Sequence, residues 1–192
     1  MPKQSTFANM TTCLTLVCLI CSVILGGAYV LTKKPIDAAE KQKINNAIGE
    51  VSPEFNNAPS DEAFKVELDG DSVLVYPAKH DQDIVGYAIE ATTSKGFGGA
   101  IKMMVGFNTN GDIVNTKVIS HSETPGLGAK MLQDDFKSQF CGMNPGNVKM
   151  KVTKDGGDVD AITASTITSR AYTDAVSKAY SVFVKIMDNN SK

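Results

Sequence analysis

The apolar positions change their period along the chain, and each change marks an element. From Met10 to Leu31 the sequence reads MTTCLTLVCLICSVILGGAYVL, and no charged residue occurs from Gln4 to Thr32. About 20 consecutive apolar residues cross the hydrocarbon layer as a helix, so residues 10–32 are predicted to span a membrane behind a short tail over 1–9. A cleaved leader is the rival reading, since Gly26 and Ala28 offer a small-x-small site and Lys3 a short positive region. Leader apolar regions usually run only about 7–15 residues, which favours a retained anchor. After Lys33-Lys34-Pro35, residues Ile36, Ala39, Ile44, Ala47, Ile48 and Val51 recur at helical spacing and predict an amphipathic helix. With the Pro- and Asn-bearing loop from Val51 to Asp61 it forms a linker over 33–60.

Beyond it the period falls to two. FKVEL from Phe64, SVLVYPA after the Asp69 to Asp71 turn, and Ile84 to Thr93 read as strands. The glycine-rich SKGFGG from Ser94 to Gly99 follows, then IKMMVGF and IVNTKVIS flanking the turn at Thr109 to Asp112. Leu127, Met131, Leu132, Phe136 and Phe140 make an apolar stripe that predicts a helix over 127–140. VKMKVT from Val148 to Thr153 reads as a further strand. Tyr172, Ala175, Ala179, Val182 and Ile186 predict a last helix over about Ser165 to Met187. The fold class is therefore α+β: one transmembrane helix, then a compact domain over 61–192 with an antiparallel sheet and packed helices.

Either reading of the N-terminal run puts that domain outside the cytoplasm. The flanking charges lean the other way, because Lys3 and the terminal amine face Lys33, Lys34, Lys41 and Lys43 across the span. The 19 Lys and Arg against 21 Asp and Glu form no block of like charge, so nucleic acid is not an expected partner. Cys13, Cys18 and Cys21 match a C-x4-C-x2-C iron–sulfur spacing, with Cys141 as a conceivable fourth ligand. They lie in the lipid-spanning run, where cysteine behaves as a small hydrophobe, and no metal is expected. His80 and His121 lack partners at metal-ligand spacing, and no adjacent pair of residues makes a hydrolytic triad.

The chemistry concentrates in DAITASTITSRAYTDAV, from Asp160 to Val176. Thr163 or Ser165 can cap the final helix, and Thr168 falls in its first turns, where amide N–H groups and the dipole favour an anion. Spacing alone favours plain capping residues. Asp160-x-x-Thr163-Ala164-Ser165-Thr166-x-Thr168 resembles the flavinylation motif D-x-x-[ST]-G-A-T-x-[ST], with Ala164 where glycine is usual and Ser165 where alanine is usual. In proteins of that kind the final hydroxyl receives FMN through a phosphoester, from FAD, by a flavin transferase.

HSETPGLGAKM, from His121 to Met131, resembles the E-T-P-G-L-G signature of the G subunit of the Rnf electron-transport complex and of the C subunit of the sodium-pumping NADH:quinone reductase. SKGFGGAIKMMVGF resembles the stretch before it, so the likeness covers most of 84–179. The shorter chain favours the Rnf family. A non-flavinylated assembly or binding module with the same fold is a third reading. The resemblance implies FMN esterified to Thr168, contacts from Thr163, Ser165, Thr166, Glu123, Thr124, Gly126 and Leu127, and partner subunits of a membrane redox complex. It also implies a single pass through the inner (plasma) membrane, a periplasmic domain, and one subunit of a translocase linking ferredoxin and NAD to ion transport. Pro125 fixes the turn, and Gly126 and Gly128 allow close backbone approach to a flat ring. Lys130 is either a flavin neighbour or a solvated surface lysine.

Overall fold

A computed structural model describes residues 7–68 and 70–190. Lys3, Asp69 of the predicted turn and the C-terminal Lys192 lie outside the described residues. Helix α1 runs from Phe7 to Val51 and carries Pro35 inside it. No break occurs at the predicted Lys-Lys-Pro boundary: the anchor and the amphipathic stretch form one helix, because good helix formers from Ala38 to Lys43 continue it beyond the proline. Within the membrane-length run, hydroxyls turn back on the helix. Thr12 donates to the Ala8 carbonyl at 2.8 Å and Ser22 to that of Cys18 at 2.8 Å, which satisfies them without water. α1 is the helix, among the described residues, that is long and apolar enough to cross a membrane.

The chain divides into two compact units between Gln42 and Lys43. The second is built on a five-stranded antiparallel meander: β1 (Phe64–Leu68), β2 (Asp71–His80), β3 (Asp83–Thr93), β4 (Ile101–Asn108) and β5 (Ile113–Ser120), in that spatial order. The five strands fall where the sequence pattern predicts strands, with register shifts at Ala78/Lys79, Lys102/Met103 and Gly106/Phe107. One face carries Val75, Tyr87, Ile89, Ala91, Met103, Val105 and Phe107, which form a core with Ala171, Tyr172, Ala175, Val176, Ala179, Val182, Phe183 and Ile186 of α3 (Thr166–Asn190). The other face turns Tyr76, Ala88 and Met104 onto Ala47, Ile48 and Val51. Polar contacts add to that packing: Lys117 pairs with Glu50 at 2.8 Å, and the Asn115 amide donates to the Glu50 carbonyl at 3.1 Å.

Two expected elements are absent in the form predicted. Residues 127–140 are not one helix but a 3-10 turn over Gly128–Leu132, a single turn α2 over Asp134–Lys137, and another 3-10 turn over Ser138–Phe140. Of the apolar stripe, Met131, Phe136 and Phe140 are buried while Leu127 and Leu132 are exposed. The breaks let Phe136 and Phe140 both reach Tyr172, with ring centroids 5.1 and 4.9 Å away. The second correction concerns 148–153, which has an alternating burial pattern but forms only an isolated bridge, Val152 with Val159. Its backbone is used locally: Thr153 N–H donates to Val159 at 2.8 Å, and Val159 N–H to Lys151 at 3.0 Å.

Candidate functional site

Helix α3 begins at Thr166, immediately after the hydroxyl-rich loop. Ala164 has a left-handed backbone, φ +62°, which turns the chain into the helix. Ser169 ties the entry together, donating to the Ser165 carbonyl at 3.0 Å and accepting from Ile162 N–H at 2.9 Å. Outside, Arg170 grips Asp155 through two bonds of 2.7 Å, and the guanidinium holds the Asp155 carboxyl below its usual range. Lys154 donates to the Thr166 hydroxyl at 3.2 Å. Thr168 faces inward and is 1% exposed.

The loop after β5 supplies the other half. Glu123 is buried, and its Oε2 accepts the Thr168 hydroxyl at 2.7 Å. Its Oε1 accepts Gly98 N–H from the glycine-rich β3–β4 connection at 3.1 Å, and its own N–H donates to Nδ1 of His121 at 3.1 Å. Gly128 lies against this pair: a Cβ there would meet the Glu123 carboxylate and come within 2.7 Å of the Thr168 oxygen. Gly126 has φ +77° but open space around it. The two glycines thus serve different purposes, one the turn and the other the close approach.

The β3–β4 connection is held to α3 by Asp174, which accepts Thr93 Oγ1 at 2.7 Å and Lys95 Nζ at 2.6 Å. Burial pushes the Asp174 carboxyl up, but the Lys95 and Thr93 bonds outweigh it and leave it below the usual range. Deeper in the core, burial raises the Tyr172 phenol to about 12, and its oxygen pairs with Thr116 at 2.7 Å.

Together these segments enclose a cleft of about 340 Å³, within the usual range for small-molecule sites. Its floor is Thr168 and Glu123; Phe97, Leu127 and Ile167 stand exposed along its walls; Thr124, Gly128, Ala164, Ser165 and Thr166 complete the lining. A larger open groove beside β1 has a charged rim from Glu62, Lys65, Glu67, Lys79 and Lys185 and no buried polar pair.

Residues 96–181 match the family model of the FMN-binding domain. The chain is 35% identical to the G subunit of the ion-translocating oxidoreductase complex of Vibrio vulnificus, over 85% of this chain and 83% of that one. It is similarly 35% identical to the G subunit of the Haemophilus influenzae complex, covering 81% and 79%, and 39% identical to that of Escherichia coli K12, covering 65% of each. The chain belongs to this G-subunit family.

As a member of that family it is one component of an ion-translocating oxidoreductase, a membrane flavoprotein, and its FMN-binding match contains the whole cleft. The cleft fits the cofactor. Exposed Phe97, Leu127 and Ile167 offer apolar surface for a flat ring, and the first turn of α3 presents amide N–H groups to an anion beside Thr168. Of the residues expected at the site, Glu123, Thr124, Leu127, Ser165, Thr166 and Thr168 line the cleft. Thr163 does not; it lines a separate depression with Gln139 and Asp160, together with Lys130. Gly126 shapes the turn without lining the cleft. Gly128, expected to let backbone approach the ring, lines the cleft, while Phe97, Gly98, Ala164 and Ile167 complete it or its support without having been singled out as contacts. Their signal was present in SKGFGG and in alanine at a position where glycine is usual.

Proposed function

We propose that this chain carries FMN as a phosphoester on Thr168 and passes electrons within an ion-translocating complex. The observation behind the covalent reading is the Thr168 hydroxyl, buried on the cleft floor and hydrogen-bonded to Glu123 in the first turn of α3. When bound, FMN supplies one- and two-electron redox chemistry. The chain's own residues do the rest. The first-turn amides of α3 would hold the phosphate and Phe97, Leu127 and Ile167 would cover the ring, while Gly128 leaves room for the Glu123–Thr168 pair.

A single inner-membrane pass by α1 with the domain on the extracytoplasmic side gives a periplasmic flavin transferase access to Thr168. The membrane-length run contains no Asp, Glu, Lys, Arg or His, and intramembrane ionisable groups usually mark ion routes. Partner subunits therefore move the ion, and this chain relays electrons between the ferredoxin and NAD sides of the complex.

Coexpression with a flavin transferase, followed by intact-mass and peptide mass spectrometry, tests the linkage. Wild type should gain one FMN phosphoryl group mapped to Thr168. Thr168→Ala should lose it entirely, while Thr166→Ala should keep it. Wild-type chain without covalent flavin, or an adduct on Thr163, Ser165 or Thr166, overturns the linkage and leaves a noncovalent or assembly role.

A further inference from the structure

A threonine hydroxyl is a weak nucleophile, and attack on a phosphorus centre requires that its proton be taken as the new bond forms. The loop and first turn of α3 offer several hydroxyls, each placed differently. Thr163 is exposed away from the cleft; Thr166 accepts from Lys154; Ser169 is committed to the helix entry. Among the described residues of this stretch, Thr168 is the one whose hydroxyl donates to a carboxylate.

That carboxylate is held for the task. The Oε2 to Oγ1 distance of 2.7 Å lies within the reach required of a general base. Gly98 N–H fixes the other oxygen at 3.1 Å, so the lone pairs of Oε2 are directed at Thr168. The missing side chain at Gly128 leaves room for the pair. Nucleophile, base and a third group orienting the base are all present, on elements far apart in sequence.

We propose that Glu123 is the general base of flavin attachment, an inference that rests on Thr168 being the acceptor. The Thr168 oxygen attacks the FMN-side phosphorus of the FAD pyrophosphate. An oxygen–phosphorus bond forms at Oγ1, and the bond from that phosphorus to the bridging oxygen breaks, its electron pair leaving with AMP. The hydroxyl proton passes to Oε2 of Glu123. Glu123 thus acts on the chain's own modification and serves in loading rather than in electron relay.

The test uses the full chain in detergent with purified flavin transferase and FAD, following the FMN mass adduct with time at several chain concentrations. Glu123→Gln should lower the maximal loading rate by about 100-fold or more, the scale of general-base catalysis, with the half-saturating chain concentration unchanged. Its thermal unfolding should remain cooperative. If it does not, Glu123→Asp decides: it keeps the carboxylate but shortens its reach, and should load roughly tenfold more slowly at an unchanged half-saturating concentration. Loading of Glu123→Gln within threefold of wild type, or a loss confined to half-saturation, overturns the assignment, as does full-rate loading of Glu123→Asp where that variant decides. Wild type in the same tubes separates the two readings. If it takes up no FMN, the parent reading fails; if it loads at Thr168 while Glu123→Gln keeps pace, only the role of Glu123 fails.

Discussion

Toward its N-terminus helix α3 buries Thr168, Ser169 and Thr173 beside Ala171 and Tyr172, with Ser165 just ahead of it; toward its C-terminus it buries, among the described residues, only apolar side chains, Val176, Ala179, Val182, Phe183 and Ile186. Both ends are closed to solvent, but for opposite physical reasons. The apolar end gains free energy simply by leaving water, at roughly 25 cal/mol per Å². A buried polar group costs free energy unless it is bonded. The polar end is accordingly tied by specific partners: Glu123 to Thr168, Ser165 and Ile162 to Ser169, and the Arg170 carbonyl to Thr173. One end of the helix makes the fold, and the other makes a site at the expense of easy packing.

The largest effect that sharpens this contrast is at the apolar end. Phe183 is nearly buried and meets Phe107 at 5.3 Å, Tyr180 at 6.1 Å and Tyr87 at 6.2 Å between ring centroids. Phe183→Ala should cost about 3–5 kcal/mol in denaturant unfolding, through lost transfer energy and a residual cavity. Chains that still fold should load flavin as wild type does. Loss of loading per folded chain would show that the two ends are not separable.

At the polar end a smaller change should do the reverse. Gly128→Ala places a methyl against the Glu123 carboxylate and the Thr168 oxygen, so one of them must move. Stability should fall by about 1–3 kcal/mol, as for other overpacked sites, and flavin loading should drop by at least tenfold because the Glu123 carboxylate is pushed out of its alignment with the Thr168 hydroxyl. Gly126→Ala is the contrast. Its backbone is left-handed but its surroundings are open, so it should lose about 0.5–1 kcal/mol, the left-handed strain less the entropy an alanine removes from the unfolded chain, with loading intact. Equal loading by wild type and Gly128→Ala would mean that the close approach is incidental.

The same division explains how much could be read from the sequence. The sheet and the apolar length of α3 were legible because the face presented repeats with the period of the element: Tyr87, Ile89 and Ala91 of β3 share the core with α3 while Ala88 joins the other one, and Ala175, Ala179, Val182 and Ile186 recur on α3. The stretch 127–140 misled because its stripe has helical spacing, yet the backbone breaks so that Phe136 and Phe140 can reach Tyr172. The 148–153 stretch alternates but closes its hydrogen bonds on its own loop. At the site, the motifs around Glu123 and Thr168 were visible separately. Their hydrogen bond joins residues 45 positions apart, and no periodicity encodes such a contact. Nor does spacing reveal that Thr163 faces away from Thr166 and Thr168.

The smallest expected effect concerns the entry to α3. Ala164 lines the cleft and holds φ +62°, a conformation in which Cβ crowds the following carbonyl. For a residue with a side chain this costs about 1–2 kcal/mol, which glycine avoids. Glycine returns part of that gain, because a more flexible unfolded chain loses about 0.4–1 kcal/mol more on folding. Ala164→Gly should therefore stabilise the chain by about 0.5–1 kcal/mol, seen as a rise of roughly 1–4 °C in the unfolding midpoint. Ala164→Val should move it the other way, since a branched side chain is worse still in left-handed backbone. Loading of Ala164→Gly should at least equal wild type, because the substitution removes a methyl from the lining and leaves Thr168 and Glu123 untouched. A glycine variant no more stable than wild type would show that the entry's strain is relieved elsewhere. A variant more stable but poorly loaded would show that the strain itself helps present the Thr168 hydroxyl.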